Sequence, residues 1–361
     1  MYPVIIAPLT FRVGWIAYSD HVEAIIASSR GNASRTSEDV MAFRSFVICA
    51  ALYAVAPVVP AQTWPEKPIR LVVPYPPGGN VDSAARAIQP RLQQELGQSV
   101  IVENKAGAGG MIGGEAVARS AADGYTLFVA ANGPLLFSPV IFQRAAYNWQ
   151  KDFVTIGSIS FTPMVLQVHP SVPAKSLKDF FDMVKKEPGK VTMASPGAGT
   201  TNHLASEMLQ MQTGAKWTTV HYKGNAPATT DLLGGQVQFN FDQISVALPF
   251  IKDKRVVPLA VTSLTRVPSM PDVPTFDESG FKGFEAVTFT GLFAPAGTPK
   301  AVTDKLAAAL AKALQDKEVI GKFEQQGAEA RAMRSDAFYD YLKVEDAKWT
   351  PVIKQANIKA D

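Results

Sequence analysis

The sequence has little cysteine and no clustered charge. One cysteine stands among 361 residues, so the chain cannot form an internal disulfide or a zinc site built from several cysteines. The net charge is +3, from 35 basic and 32 acidic residues, and no block of lysines and arginines occurs, which argues against a nucleic-acid partner. Apolar residues make up 47% of the chain, as in a globular protein. The length allows about two domains.

An apolar stretch near the amino terminus has the three parts of a secretory signal. Arg44 precedes an uncharged run over residues 46–59, and the small residue Ala61 follows at the exit of that run. A buried helix is the alternative interpretation of the same run. The pattern predicts a cleavable signal peptide at residues 41–61, with an upstream extension at residues 1–40.

Beyond the signal, short apolar runs alternate with amphipathic helical segments. Residues 69–73 form an apolar run, and apolar residues then recur at helical spacing until Gly97. Residues 100–102 and 125–130 are further strand-like runs, and the alternation returns between residues 191 and 261. Strands and helices in this order, joined by short loops, predict an α/β fold with a parallel sheet covered by helices on both faces.

The first of three candidate loops follows the first predicted strand and reads YPPGGNVD over residues 75–82. Glycines let the backbone turn tightly and expose its amide groups, and a helix N-terminus favours an anion. Asp82 is a natural helix cap, so its expected role is structural. The ligand candidates of this loop are Gly79, Asn80, Val81 and Asp82.

The second loop reads SPGAGTTNH over residues 195–203, and the third begins at His221. Two glycines and several hydroxyl groups at a helix start predict a carboxylate or phosphate cradle, with a plain capped turn as the alternative. In the third loop a tyrosine offers an apolar face and a hydroxyl. The candidates from these loops are Ser195, Ala198, Gly199, Thr200, Thr201, His203 and Tyr222.

The sequence lacks the common nucleotide and catalytic motifs. The glycine-rich stretch after residue 105 has Ile112 where a dinucleotide-binding motif needs glycine or alanine, and no P-loop occurs. There is no nucleophile elbow, and the histidines are not spaced as metal ligands on a helix. For His203, helping to orient the loop or helix is favoured over catalysis or metal binding. No catalytic residue, metal or cofactor is therefore predicted.

The sequence resembles a known receptor family from Trp64 to the end. The similarity is carried by WPEKPIRLVVPYPPGGNVDSAARAI, VIVENKAGAGGMIGGEAVARSAADGYTL, SPGAGTTNHLASE, HYKGNAPATTDLLGGQVQFNFD and FAPAGTP. These segments resemble the extracytoplasmic solute receptors of tripartite tricarboxylate transporters, the Bug-type binding proteins. The resemblance implies a two-lobed, type II-like periplasmic binding protein. Each lobe would be a mixed sheet flanked by helices.

The resemblance also implies how the lobes divide the chain. Strands would cross between the lobes near Val165 and Thr288. One lobe would combine residues 64–165 with residues 288–361, and the other would comprise residues 166–287. The implied protein is a periplasmic monomer without enzymatic activity, which captures a small carboxylate and passes it to the permease subunits of the transporter.

In that family, backbone amides, hydroxyls and bridging waters hold one carboxylate of the ligand. The residues at matching positions are Gly79, Asn80, Val81 and Asp82 in one lobe and Ala198, Gly199, Thr200 and Thr201 in the other. Asp242 is implied at the far end of the ligand, and Asn132 lies at a comparable strand end. Such positions agree with the general location of ligands at the carboxyl ends of strands.

Two departures from the family pattern bear on the ligand. Relatives often carry a hydroxyl residue at the position of Val81 and tryptophan at that of Phe289. An apolar Val81 suits an apolar or aromatic carboxylate better than a densely polar one such as citrate. The ligand is therefore predicted to be an aromatic mono- or dicarboxylate resembling terephthalate. A periplasmic sensor that presents its ligand to a signalling receptor is the alternative function, and an enzyme on the same fold is disfavoured.

Overall fold

The computed structural model describes residues 64–142 and 146–358. The predicted extension and signal peptide, residues 1–40 and 41–61, lie outside the described residues. The strands are β1 Ile69–Val73, β2 Val100–Asn104, β3 Thr126–Ala131, β4 Phe153–Val168, β5 Thr192–Ser195, β6 Thr218–His221, β7 Phe239–Gln243, β8 Val257–Val261, β9 Val287–Pro295 and β10 Glu329–Ala330. The helices are α1 Asn80–Leu96, α2 Met111–Ala118, α3 Ser138–Ile141, α4 Trp149–Asp152, α5 Leu177–Lys186, α6 Thr201–Thr213, α7 Asn225–Leu233, α8 Ile244–Lys252, α9 Lys300–Ala313, α10 Lys317–Gln325 and α11 Ser335–Gln355. None of the helices in these ranges combines the length and the apolar character that a membrane span needs.

The strands of the first lobe form a mixed sheet. β1 lies between β2 and β3 and is parallel to both. β9 runs antiparallel to β3 and to β4, and β10 adds a short antiparallel pair at β4. The parallel arrangement predicted for the first three strands is thus confirmed, and the antiparallel strands make the sheet mixed.

One long strand links the two lobes. The part of β4 from Phe153 to Pro163 pairs with β9, whereas the part from Met164 to Val168 pairs with β7 and β8. β7 also pairs with β5, which pairs with β6, so the end of β4 belongs to a second sheet. The two-lobed α/β fold with mixed sheets is confirmed. The boundaries predicted at Val165 and Thr288 fall within β4 and β9.

Helices cover both faces of the first sheet, because successive side chains of a strand point to opposite faces. Leu71 is buried in a cluster with α1 and α9, while its neighbour Val72 is buried in a second cluster. That second cluster includes Phe128 of β3 and Trp349 of α11 and extends into the other lobe. Strands buried on both faces require the nearly continuous apolar runs from which they were predicted.

Gly291 of β9 allows α11 to pack closely against the crossing strands. A Cβ atom on Gly291 would overlap the Phe338 ring, which is fully buried. We expect Gly291→Ala to lower the free energy of unfolding by about 1–3 kcal/mol, because a packed core has no room for the extra methyl group. Urea unfolding followed by circular dichroism measures this change. Gly321→Ala is the control, since a Cβ there meets no atom of the described chain within 4 Å; equal effects of the two substitutions would contradict the prediction.

Candidate functional site

The N-termini of α1 and α6 meet at a small cavity between the two lobes. The cavity has a volume of about 30 Å³, on a scale where about 10–15 Å³ holds one water molecule. Thr288 of β9 contributes to its lining, so the crossing strands lie at its base. The lining residues are Tyr75, Gly79, Asn80, Val81, Ala131, Pro196, Thr200, Thr201, Asn202, Gly224, Asn225, Gln243 and Thr288.

The first wall is the start of α1. Gly79 precedes the helix in an extended conformation, with φ −86° and ψ 173°. The first N–H groups of a helix have no partner within it, so this end is a positive pole facing the cavity. The Asn80 side chain is 6% exposed, and its Oδ1 accepts a hydrogen bond from Ser245 Oγ at 2.7 Å. Its Nδ2 is buried and has no hydrogen-bond partner within residues 64–142 and 146–358.

The second wall is the start of α6. Thr200 caps this helix, because its Oγ1 accepts a hydrogen bond from His203 N at 3.3 Å and donates to Gly197 O at 2.9 Å. Thr201 and Asn202 of the first helical turn are buried and line the cavity. Two helix N-termini therefore approach the cavity from opposite lobes.

The third wall is a network of side-chain amides. Gln243 Nε2 donates to Asn202 Oδ1 at 2.9 Å and to Thr288 Oγ1 at 3.0 Å. Asn225 Nδ2 donates to Gln243 Oε1 at 3.2 Å and to Asp242 Oδ1 at 2.7 Å. Because Thr288 Oγ1 accepts in this network, its own proton remains available to a ligand.

The lining combines polar and apolar residues and carries no formal charge. In the part of the chain that the structure describes, no Asp, Glu, Lys, Arg or His side chain lines the cavity. Burial raises the pKa of the Tyr75 hydroxyl above its ordinary value, so this group is a neutral donor. Any attraction for an anion must therefore come from helix N-termini and oriented dipoles.

Five of the predicted site residues meet at the cavity. Gly79, Asn80 and Val81 come from the first loop, and Thr200 and Thr201 come from the second. Both groups were predicted from glycine-rich loops at strand ends that lead into helices. The fold brings these loops, more than a hundred positions apart in the sequence, to opposite sides of one cavity.

The other residues predicted in the first lobe make structural contacts. Asp82 Oδ2 accepts from Gly78 N at 2.9 Å and from Arg86 Nε at 3.0 Å, and its Oδ1 accepts from Asn104 Nδ2 at 2.9 Å. Burial acts to raise the pKa of Asp82, but these hydrogen bonds outweigh it and hold the pKa below its usual value. Asn132 Oδ1 accepts from Phe289 N at 3.0 Å. Neither residue lines the cavity, so their assignment as ligand contacts stays a prediction.

The remaining predicted residues of the second lobe support the cavity from outside its lining. Ser195 Oγ donates to Gly197 O at 3.0 Å, which shapes the loop containing Ala198 and Gly199. Tyr222 OH donates to Asp231 Oδ2 at 2.6 Å. Within the described ranges the cavity lining includes none of Ser195, Ala198, Gly199, His203, Tyr222 and Asp242.

His203 is a buried neutral histidine. Its Nδ1 accepts from Gly199 N at 3.3 Å, and its ring packs edge-on against His221 with 4.6 Å between centroids. Burial lowers the pKa of His203 to about 3. The structure thus places it where it holds the loop, as favoured from the sequence.

We expect the neutral state of His203 to make the fold sensitive to acid. In the unfolded chain a histidine titrates near pH 6.5, so between about pH 6.5 and 3 the unfolded state binds a proton that the native state does not. Stability then falls as the pH drops through this window, by up to about 1.4 kcal/mol per pH unit for this group. His203→Gln should flatten that slope in urea unfolding and leave the slope above pH 7 unchanged; an unaltered slope below pH 6.5 would contradict the prediction.

Several lining residues were not predicted from the sequence. Asn202 lies within the second loop, and Asn225 follows the glycine of the third loop, so the loops themselves pointed toward them. Gln243 and Thr288 carry no local signal, because they enter the site only through the crossing of β7 and β9 with β4. Tyr75, Ala131, Pro196 and Gly224 complete the set.

The polar groups around the cavity are uncharged hydrogen-bond donors and acceptors. Among the residues that the structure describes, no group of three His, Cys, Asp or Glu side chains could hold a metal ion. Residues with hydrogen-bond donors line the cavity from both lobes, including Asn80 and the first residues of the two helices. Such an arrangement suits a small oxyanion enclosed between the lobes.

Comparison with known proteins places the chain among transport receptors. The sequence model described as a tripartite tricarboxylate transporter family receptor, TctC, matches residues 84–358. The protein BugT of Bordetella pertussis is 36% identical over 313 residues, covering 86% of this chain and 96% of BugT. A protein of Pseudomonas sp. encoded between tcbD and tcbE is 36% identical over 301 residues, covering 83% of this chain and 89% of that protein.

Solved structures agree with this assignment. A protein of R. palustris solved with adipate superposes with a TM-score of 0.79 at 31% identity, over 82% of this chain and 99% of that one. The periplasmic binding protein BugD gives a TM-score of 0.78 at 37% identity, over 82% and 100% of the two chains. MatC of Rhodopseudomonas palustris with bound malate gives 0.76 at 31% identity, over 80% and 100%. The chain belongs to the TctC family, the receptors of the tripartite tricarboxylate transporters.

Proposed function

We propose that this receptor binds a small organic carboxylate in the cavity between its lobes and delivers it to membrane permease subunits. One observation carries the proposal. The Asn80 amide is buried at the meeting point of two helix N-termini, and its Nδ2 has no acceptor within the described residues. A buried donor without a partner costs roughly 1–3 kcal/mol, and a ligand carboxylate oxygen would remove that cost.

The helix ends explain why no lysine or arginine is needed. The N-terminus of a helix carries about half a positive charge, and those of α1 and α6 approach one cavity. Backbone N–H groups held by the fold do not have to be ordered when the ligand arrives, so little conformational entropy is lost. A carboxylate between them contacts both lobes at once and favours the closed state over the open one.

Relatives indicate the size and charge of the ligand. The R. palustris structure contains adipate and the MatC structure contains malate, and both molecules are dicarboxylates. We propose the same chemical class for this receptor. The cavity of about 30 Å³ has room for only a few water molecules in this structure, so we propose that the lobes separate to admit the ligand and then close around it.

The finer prediction is an aromatic mono- or dicarboxylate of the terephthalate type. Its support is Val81, an apolar residue in the lining. An apolar wall disfavours a ligand whose polar groups would lose water there. The hydroxyl and amide groups at the base of the cavity favour a second polar group at the far end of the ligand, as terephthalate provides.

Membership of the family supports a cellular role in transport. We propose that residues 41–61 direct export to the periplasm and are removed, and that the closed, ligand-bound receptor docks on the permease. The receptor would then act as a monomer, without catalysis and without a cofactor.

A panel of carboxylates tests the proposal. The purified chain from residue 62 onward is heated with adipate, malate, citrate, glutamate, benzoate and terephthalate, and hits are titrated by calorimetry. A true ligand raises the melting temperature in proportion to the logarithm of its concentration over its dissociation constant. Binding of no carboxylate would overturn the function, while tight binding of citrate or glutamate without any of benzoate or terephthalate would overturn the aromatic preference alone.

A further inference from the structure

The orientation of one amide in the cavity wall is fixed by a buried carboxylate. Asn225 Nδ2 donates to Asp242 Oδ1 and to Gln243 Oε1, so both of its protons are used. An ionised carboxylate can only accept hydrogen bonds, so Asp242 requires the Nδ2 side of this amide to face it. The oxygen of Asn225 is therefore left on the opposite side.

That oxygen faces across the cavity. Asn225 is part of the lining, and its Oδ1 lies 3.2 Å from the position at which a side chain on Gly79 would begin. A carboxylate of the ligand near this wall would be repelled by the amide oxygen and by the charge of Asp242 behind it. A ligand hydroxyl or amide would instead donate a hydrogen bond to the same oxygen.

We infer that Asp242 is a positioning residue whose protonation determines whether the oxygen or the nitrogen of the Asn225 amide faces the ligand. Protonated Asp242 donates its O–H to Asn225 Oδ1, and the amide turns over. Asn225 then gives up its hydrogen bond to Gln243 Oε1, which still accepts one from Asn202 Nδ2, and Asn225 Nδ2 faces an anionic group of the ligand. One proton is taken up from solvent, and the covalent bond formed is that O–H. The inference deepens the proposed function and rests on it, because it concerns the ligand of the same cavity.

The surroundings of Asp242 suit a carboxyl group that changes its charge near neutral pH. The side chain is 1% exposed, and burial raises its pKa to about 7 against the hydrogen bonds that favour its ionised form. These bonds come from Asn225, Thr229, Asn240 and the Gln243 backbone. Asn240 Oδ1 is itself buried and has no partner within the described parts of the chain, so the proton has a second acceptor nearby.

The elements packed around β7 supply no counter-charge. β4 and β5 carry no ionisable side chain, and the ionisable groups of α6, α7 and α8 are His203, Glu207, Asp231 and Lys252. The pKa of Asp242 is set by burial and by hydrogen bonds, and none of these four side chains of the described chain is among the causes. Across the cavity, α1 carries Asp82, which is held by its own hydrogen bonds. The protonation state of Asp242 therefore depends on the ligand more than on a fixed ion pair.

Calorimetric titration with adipate and with its monoamide, between pH 6 and pH 8, tests the inference. The carboxyl groups of adipate are mostly ionised throughout this range, so a tenfold change reports on the protein. We expect the dissociation constant for adipate to rise about tenfold from pH 6 to pH 8, as one linked proton requires. The monoamide should bind equally well or better at pH 8. Repeating the adipate titration in buffers of different ionisation enthalpy should show net proton uptake at pH 7.

Two variants test whether Asp242 causes the pH dependence of adipate binding. Asp242→Asn is neutral at every pH, so it should bind adipate at pH 8 as tightly as the wild type does at pH 6, with no proton uptake. Asp231→Asn is the matched control on α7 and should keep the wild-type pH profile. If Asp242→Asn does not fold, proton uptake by the wild type decides the question.

The outcomes separate this inference from the function on which it rests. Adipate binding that is constant from pH 6 to pH 8, without proton uptake, overturns the role of Asp242 and leaves a carboxylate receptor. A wild-type pH profile retained in Asp242→Asn overturns that role as well. Failure of every carboxylate to bind overturns both proposals.

Discussion

Gly79→Val should leave a folded protein that binds its carboxylate about 100-fold more weakly, a loss of about 2.7 kcal/mol. A Cβ on Gly79 would lie 3.2 Å from Asn225 Oδ1 in the other lobe. The two further methyl groups of valine reach beyond that point, so the lobes cannot approach to the distance seen here. The ligand would then contact one helix N-terminus instead of two. Its affinity falls because closure is stabilised by contacts that both lobes make.

The backbone at Gly79 is not the obstacle. Its φ of −86° and ψ of 173° are open to any residue, so the substitution acts on the closed state rather than on the turn. Calorimetry measures the affinity, and small-angle scattering measures whether ligand still makes the protein more compact. Gly321→Val is the matched control, since Gly321 faces open space among the described residues. Ligand-induced compaction and wild-type affinity in Gly79→Val would show that closure does not depend on this contact.

Asn80→Asp should reduce the affinity about 1,000-fold, or about 4.1 kcal/mol. The change keeps the size of the side chain and keeps an oxygen to accept the hydrogen bond from Ser245 Oγ. The buried Nδ2, however, is replaced by a second oxygen that carries negative charge toward the ligand carboxylate. Like charges placed together in a desolvated site cost several kcal/mol.

Ser245→Ala separates this effect from the bond between the lobes. It removes the 2.7 Å hydrogen bond to Asn80 but leaves the Nδ2 donor in place. A hydrogen bond of this kind contributes about 0.5–1.5 kcal/mol, so its loss should weaken binding by no more than about tenfold. If Asn80→Asp binds as well as Ser245→Ala at pH 7, the Asn80 amide is not a carboxylate ligand.

The site residues that could be predicted from the sequence lie in the loops at the ends of strands. A glycine-rich turn followed by a helix start exposes backbone amides wherever it occurs, and this chemistry depends on a few neighbouring residues. Gly79, Asn80 and Val81 were recognised in this way, as were Thr200 and Thr201, and all five line the cavity. Local pattern therefore identified both helix N-termini correctly.

The same local pattern could not predict which group forms a hydrogen bond with a given side chain. Asp82 lies in the first turn of α1, yet its carboxylate accepts hydrogen bonds from Gly78, Arg86 and Asn104 and does not line the cavity. Asn132 follows a strand in the expected way but binds the Phe289 backbone in a neighbouring strand. Such choices depend on groups that lie far away in the sequence.

By itself, the sequence predicted the alternation of strands and helices and the two glycine-rich loops at helix starts, because periodicity and turn chemistry act over a few residues. The two-lobed class was implied by the resemblance to the receptor family. The tertiary structure alone decided that Gln243 and Thr288 join Asn225 in the cavity wall and that Asp242 lies behind it. Those residues come from separate strands and from a helix start. They meet because the long strand β4 pairs with β9 in one sheet and with β7 in the other. Pairing between distant strands is set by the packing of the whole chain, and no short stretch of sequence contains it.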